Sequence, residues 1–385
     1  MPYQSGPHFL QLPGPTNCPL AVLQALALPT IDHRGPQFAV LAREVLEGIR
    51  TIFNTHEPVV IYTASGTGAW EAALVNTLSP DDQVLMFETG QFSALWQRLA
   101  QRLGLQVEYL GGDWRSGVNA EAIGARLAQD RAHRIKAVAV VHNETSTGVL
   151  SDIAAVRRAM DHAHHPALLM VDAVSSLGAT DYRHQEWAVD VTISGSQKGL
   201  MLPPGISFTA VSSKALAAGK SARLPRAYWD WQDMLDFNKT GYFPYTPNTN
   251  MLQALRVALG LLHQEGLEQV FARHRRAAQA TRQCVQHWGL ALQCRVADEC
   301  SPVVTAVRVP DGQSADALRA AVLSRGNMSL GSGLGRLADK VFRIGHVGDF
   351  SDPVVLGTLA TIEAGLKAAD VPYRPGGVEA AVACL

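Results

Sequence analysis

The segments ALLMVDAVSS (167–176) and VDVTISGSQKG (189–199) decide the fold. The first begins as a run apolar on both faces, and both break into small and polar residues. A run apolar on both faces marks a strand inside a parallel sheet, where helices cover both sides. The same alternation recurs outward from these two segments. EPVVIYTA (57–64) precedes the helical pattern GTGAWEAALVNTL (66–78), DQVLMFE (82–88) precedes FSALWQRLAQRLG (92–104), and IKAVAVVHNE (135–144) precedes SDIAAVRRAMDHAHH (151–165). Strands and helices in this order predict an α/β fold with a mainly parallel sheet. Near residue 245 the rhythm changes. Met251 to about Gln286 reads as one or two long helices, after which VVTAVRVP (303–310), ADALRAAVLSRG (315–326) and KVFRIGHVG (340–348) predict a smaller α+β unit. The expected division is a large domain over 16–250 and a small one over 251–385, the latter with segment 1–15, sharing a ligand cleft.

Composition narrows the partners. With 33 basic against 34 acidic side chains the net charge is −1, which provides no broad field for nucleic acid or an anionic membrane. Five cysteines, an odd number with no CxxC pair, imply reduced thiols and a cytoplasmic setting. The opening MPYQSGPHFLQLPGPTN lacks a basic stretch followed by an apolar one, and no apolar run reaches the roughly 18–20 residues of a membrane span. The final VACL fits neither a prenylation box nor a peroxisomal address. Small molecules, or another protein surface, are the expected partners.

Two strand ends carry the chemistry. LLMVD delivers Asp172 and VTISGSQK delivers Lys198 to the carboxyl edge of one sheet, where open α/β sheets bind ligands. An amine and an acid on neighbouring strands suit pyridoxal phosphate: the lysine joins the cofactor aldehyde, and the carboxylate keeps the ring nitrogen protonated. In TASGTGAW (63–70), Ser65, Gly66 and Thr67 follow a strand and open a helix, so free N–H groups, the helix dipole and two hydroxyls converge on one anion.

These residues sit among longer motifs. PGPTN (13–17), SGTGAWEAAL (65–74), HNETSTGV (142–149), VDAVSS (171–176), SGSQKGLMLPPG (194–205), TGYFPYTP (240–247) and KVFRIGHVGD (340–349) follow one another in the order of a known family. Over most of its length the chain resembles the class V, fold-type I aminotransferases that use pyridoxal phosphate, in their serine–glyoxylate and alanine–glyoxylate branch. The resemblance implies an aspartate aminotransferase-like large domain and the following roles. Lys198 is the catalytic lysine and Asp172 the partner of the ring nitrogen. Ser65, Gly66, Thr67 and Gln197 hold the cofactor, Phe92 in ETGQF (88–92) lies against its ring, and Thr145 approaches the ring oxygen. Arg343 grips the substrate α-carboxylate. Thr246 and Tyr245 reach the phosphate of the neighbouring subunit, so the active site is shared in a homodimer, and dimers can pair into tetramers.

The implied reaction is ping-pong transfer of the amino group of a small L-amino acid, serine first, to glyoxylate. Alanine and aspartate are the alternative donors. His33 and Arg34 in TIDHRGP (30–36) are candidates for shaping the donor pocket, with Gly35 where the family commonly has serine. Three other classes compete. A desulfurase or lyase of the same fold needs a cysteine on a loop over the cofactor, and SRGNMSLGSG (324–333) has none. A non-catalytic pyridoxal phosphate-binding regulator would bring a DNA-binding module, and a nicotinamide dehydrogenase leaves Lys198 without a role. Other features read as structural. His274 to Arg276 is expected to be a solvated helix face, GSGLGRL (331–337) a flexible loop beside Arg343, and His162, His164 and His165 a helix end without a metal.

Overall fold

The computed structural model describes residues 8–385. The part of the leader reading that rests on residues 1–7 lies outside the described residues. Strands are numbered along the chain. β1 is Phe9–Gln11, β2 Val59–Tyr62, β3 Gln83–Phe87, β4 Gln106–Leu110, β5 Ile135–Val141, β6 Asn143–Glu144 and β7 Val149–Leu150. They continue as β8 Leu168–Asp172, β9 Val191–Gly195, β10 Ser207–Val211, β11 Ala291–Leu292, β12 Val304–Arg308, β13 Met328–Ser332 and β14 Val341–Gly345.

The large sheet has seven strands in the order β2-β10-β9-β8-β5-β3-β4. Only β10 runs against its neighbours, pairing antiparallel with both β2 and β9, so the expectation of an α/β fold with a mainly parallel sheet is met. β8 and β9 are adjacent, with Asp172 opposite Ile193. Every residue of both strands is buried, which explains the apolar run of β8, while β9 buries the hydroxyls of Thr192 and Ser194 as well. Several helices between the strands start at side-chain caps that the sequence supplies: Asp152, Ser212, Asn248 and Ser314 each accept a backbone N–H of the first turn. The helix Gly66–Thr77 differs, because Ser65 at its cap makes no such bond and its hydroxyl stays exposed.

The small sheet follows the order β1-β13-β14-β12-β11, so its edge comes from the other end of the chain. β1 pairs parallel with β13, Phe9 opposite Met328. The long helical stretch after residue 248 is two helices, Thr249–Glu265 and Leu267–His287, broken at Gly266. The apolar core around the large sheet extends to Val270, and that of the small sheet begins at Ala277, so the second helix belongs partly to each. Among the described residues no helix is long and apolar enough to cross a membrane.

Two expectations need correction. His274 is fully buried rather than solvated: its Nδ1 lies 2.7 Å from the Val270 carbonyl and its Nε2 accepts the Gly348 N–H at 3.2 Å. Arg275 is exposed, as expected for that face, whereas Arg273 is held by Glu265 and the Gly348 carbonyl and Arg276, half-buried, by Asp352. The segment that buries this face comes from residues 348–352, which helical periodicity alone does not reveal. GSGLGRL is also not a loose loop. Gly331 and Ser332 pair with Arg343 and Phe342 in the sheet, and Gly335–Leu337 is a 3₁₀ turn. Of the three histidines near residue 164, His165 is buried on Asp130 at 3.2 Å and His162 approaches the Arg158 carbonyl of its own helix.

Candidate active site

Five strands of one sense, β2, β3, β5, β8 and β9, end at one edge of the large sheet, and the loops beyond them enclose a cavity of about 270 Å³. Its wall contains Ser65, Gly66 and Thr67 beyond β2, Phe92 beyond β3 and Thr145 beyond β5. Asp172, Gln197 and Lys198 complete the set. Arg343 lies just behind this wall. It is buried, with Nε donating to the Ser332 carbonyl at 2.7 Å and Nη1 to the Thr145 carbonyl at 3.0 Å. Tyr245 and Thr246 are elsewhere: both are exposed and line a separate cleft with Tyr62, Thr63 and Tyr228.

Burial sets the charges. Lys198 is 8% exposed, and its ammonium is held down to about 8, first by desolvation and then by the Arg343 charge, against a smaller pull from Asp172. Asp172 is pushed up to about 7 by desolvation, with the Glu144 charge acting the same way. The bonds it accepts, from Val174 N–H at 2.7 Å and Trp70 Nε1 at 3.0 Å, oppose that rise and fix the carboxylate plane. Lys198 Nζ donates to the Pro13 carbonyl. Pro13 follows β1, so the N-terminal strand brings this lid to the lysine. A side chain at Gly14, whose φ is +116°, would collide with Lys198 itself.

Residues outside the predicted set complete the site. Trp70 stacks on Trp96 with centroids 5.8 Å apart while its N–H holds Asp172. Its position one turn beyond Gly66 was legible from helical spacing. Asn143 donates to Ser175 at 2.8 Å. Glu144 is fully buried and accepts N–H groups from Phe92, Ser93 and Ser146 and the Ser146 hydroxyl at 2.6 Å. Desolvation raises this carboxyl, and those donors partly offset the rise. Glu144 is thus the peg that fixes the start of helix Gln91–Arg102, and with it Phe92. Its motif, NETSTG, was visible; its partner fifty residues away was not.

The wall fits pyridoxal phosphate. Two buried amide oxygens on it, Asn143 Oδ1 and Gln197 Oε1, have no hydrogen-bond partner, so the site presents polar groups that a bound polar molecule satisfies. The uncapped N-terminus at Ser65, flanked by exposed hydroxyls, suits a phosphate. A Cβ at Gly66 would sit 2.6 Å from Val174 Cγ2, so only glycine lets this turn lie so close to the wall. Asp172 is a buried carboxylate short of a cation, which a protonated ring nitrogen provides.

Comparison with known proteins agrees. The family model for aminotransferase class V matches residues 9–335. A serine–glyoxylate aminotransferase of Methylorubrum extorquens is 47% identical over 98% of this chain and 95% of that protein. An L-aspartate–glyoxylate aminotransferase of Paracoccus denitrificans is 45% identical over 96% of the chain and 94% of that protein. The crystal structure of pyridoxamine–pyruvate aminotransferase from Mesorhizobium loti superposes with a TM-score of 0.93 at 29% identity, covering 100% of this chain and 98% of the other. With its cavity, its sheet order and its relatives in agreement, the chain belongs to the class V aminotransferases and is a pyridoxal phosphate-dependent aminotransferase of fold type I.

Proposed function

We propose that this aminotransferase moves the amino group of L-serine to glyoxylate, forming hydroxypyruvate and glycine in two alternating half-reactions. The observation that carries the reading is the meeting of Lys198, Asp172 and an uncapped helix N-terminus in one dry cavity, with Arg343 directly behind it. Serine as donor is supported by the similarity to the Methylorubrum enzyme.

Bound pyridoxal phosphate supplies an electron sink for the pair left behind when an α-proton departs. The chain's residues do the rest. Ser65, Gly66 and Thr67 hold the phosphate with hydroxyls and backbone N–H groups, and Gln197 adds an amide. Phe92 and Thr145, both on the cavity wall, would support a ring face and offer a hydroxyl to the ring. Asp172 keeps the ring nitrogen protonated. Arg343, its planar fork oriented by two carbonyls, takes the α-carboxylate and sets the Cα–H bond toward Lys198. Lys198 would anchor the cofactor through its amine and, when free and neutral, would serve as the base that takes up and gives back the α-proton.

The same reading assigns a homodimer in the cytoplasm. Ser65 and Thr67 are exposed at the mouth in a single chain, as are Tyr245 and Thr246 in a separate cleft. A two-fold partner placing Tyr245 and Thr246 over the phosphate accounts for both. All five cysteines are free, as a reducing compartment requires.

The test is the visible spectrum of the purified holoenzyme. Addition of L-serine is expected to bleach the cofactor band, and glyoxylate to restore it. A band that ignores serine and responds to aspartate or alanine moves the donor and keeps the transaminase, whereas one that ignores all three overturns the reading.

A further inference from the structure

A second reactive centre lies outside the cavity, on the strap that leads from β11 to β12. The 3₁₀ turn Ala297–Glu299 folds this strap so that two thiols face one carbonyl. Cys294 Sγ lies 3.3 Å and Cys300 Sγ 3.5 Å from the Val296 oxygen, so the two thiols share one acceptor. Cys294 is buried, and Cys300 is half-exposed. The Arg282 guanidinium stands beside them, its Nη1 donating to the Ser301 carbonyl at 3.2 Å. The neighbouring Cys294 thiol, and then the Arg282 charge, draw the Cys300 thiol down to about 7, while Cys300 and burial push Cys294 up.

We propose that Cys294 and Cys300 are a redox-active dithiol that closes to an intramolecular disulfide, Cys300 attacking and Cys294 resolving. The oxidant is a small-molecule disulfide. The Cys300 thiolate attacks one of its sulfurs, the oxidant's S–S bond breaks, and one thiolate leaves. Cys294, giving up its proton, then attacks the Cys300 sulfur and expels the second thiolate. Two protein thiols become one disulfide, one oxidant disulfide becomes two thiols, and the two protons go to the leaving groups. Two thiols that meet at one carbonyl oxygen can reach the bond length of about 2 Å by turning their side chains toward each other. The other cysteines stand apart: Cys18 and Cys384 lie against the carbonyls of Thr16 and Ala380, and Cys284 is enclosed in the small core.

The pair also has an address in the enzyme. Cys300 forms an isolated bridge with Val149, Ser301 N–H donates to the Gly148 carbonyl at 2.9 Å, and Glu299 accepts Gly117 N–H at 2.7 Å. The strap therefore braces, from outside, the loop that carries Thr145, which in turn orients Arg343.

Trypsin separates the two residues at Arg295. Holoenzyme treated with glutathione disulfide and digested without reduction is expected to yield peptide 283–295 joined to peptide 296–308, with two of its five thiols lost and restored by reductant. Cys284→Ser should keep this link. Cys294→Ser should abolish it and leave Cys300 carrying glutathione. If that variant does not fold, chymotryptic cleavage after Trp288 in the wild type separates Cys284 from Cys294 and assigns the partner. A link that persists in Cys294→Ser, or wild-type Cys300 that stays glutathionylated or unreacted, overturns the proposal.

Discussion

A lysine ammonium in a dry cavity beside an arginine sheds its proton easily, and this sets the rate at which Lys198 can act. Held at about 8, Lys198 is neutral in about a tenth of molecules at pH 7. Covalent capture of pyridoxal phosphate by cofactor-free protein should therefore speed up about tenfold per pH unit below that value and level off above it. Stopped-flow absorbance from pH 6 to 10 checks this, and a rate still climbing at pH 10 would show an ordinary lysine. At Arg343, the fork is held by the Ser332 and Thr145 carbonyls, so the geometry rather than the charge is specific to arginine. Arg343→Lys should raise the KM for the amino acid by roughly 10- to 100-fold, the worth of a charge-assisted hydrogen bond of about 1.5–3 kcal/mol. A KM within twofold of wild type, measured by steady-state kinetics, contradicts this placement of the carboxylate. Lys198 was legible in the sequence because it follows a strand amid small residues, whereas Arg343, between Phe342 and Ile344, was named through the family resemblance. Tyr245 and Thr246 were named only through the family resemblance, since no feature of their own stretch points to a cofactor.

At the scale of elements, the start of helix Gln91–Arg102 depends on one buried carboxylate. Glu144→Gln swaps an acceptor for an amide that cannot satisfy the N–H groups of Phe92, Ser93 and Ser146 together. We expect a loss of about 1–3 kcal/mol in stability, seen as a lower urea midpoint, together with weaker retention of the cofactor. An unchanged midpoint and unchanged retention would mean that Phe92 is positioned by its apolar packing alone. Five strands of the large sheet, β2, β3, β5, β8 and β9, were legible as largely apolar runs, whereas β4, which is only partly buried, and the antiparallel β10 were not read. β1 was not: three residues carry no period, and they become a strand only through pairing with Met328–Leu330. His274 was misread for a related reason, since the segment that covers it arrives from Gly348 and Phe350.

Across the whole molecule, buried histidines govern the response to acid. His142, His274 and His346 are held down to about 3 and His184 to about 4, each chiefly by desolvation. These are bases with depressed values in the fold. Their contribution is complete above the unfolded value of about 6.5 and is lost as pH falls toward the folded one, at up to about 1.4 kcal/mol per pH unit for each group. The thermal midpoint should thus fall steeply between pH 6.5 and 5, and a flat profile over that range would show that these rings open to solvent. Asp172, raised by burial, runs the other way: its contribution in cofactor-free protein fades as pH rises toward 7.

The pairing of β1 with β13 also sets an order of events during synthesis. All strands of the large sheet have been made once residue 211 emerges, and Asp172 and Lys198 are then already adjacent. The carbonyl of Pro13 that lids the lysine has been made long before, yet its anchor on Met328–Leu330 comes more than a hundred residues later. A nascent chain therefore lacks the strand that anchors this lid over the roughly 120 residues between Val211 and Leu330, and the pocket can close from the chain's own beginning only after that stretch has been made.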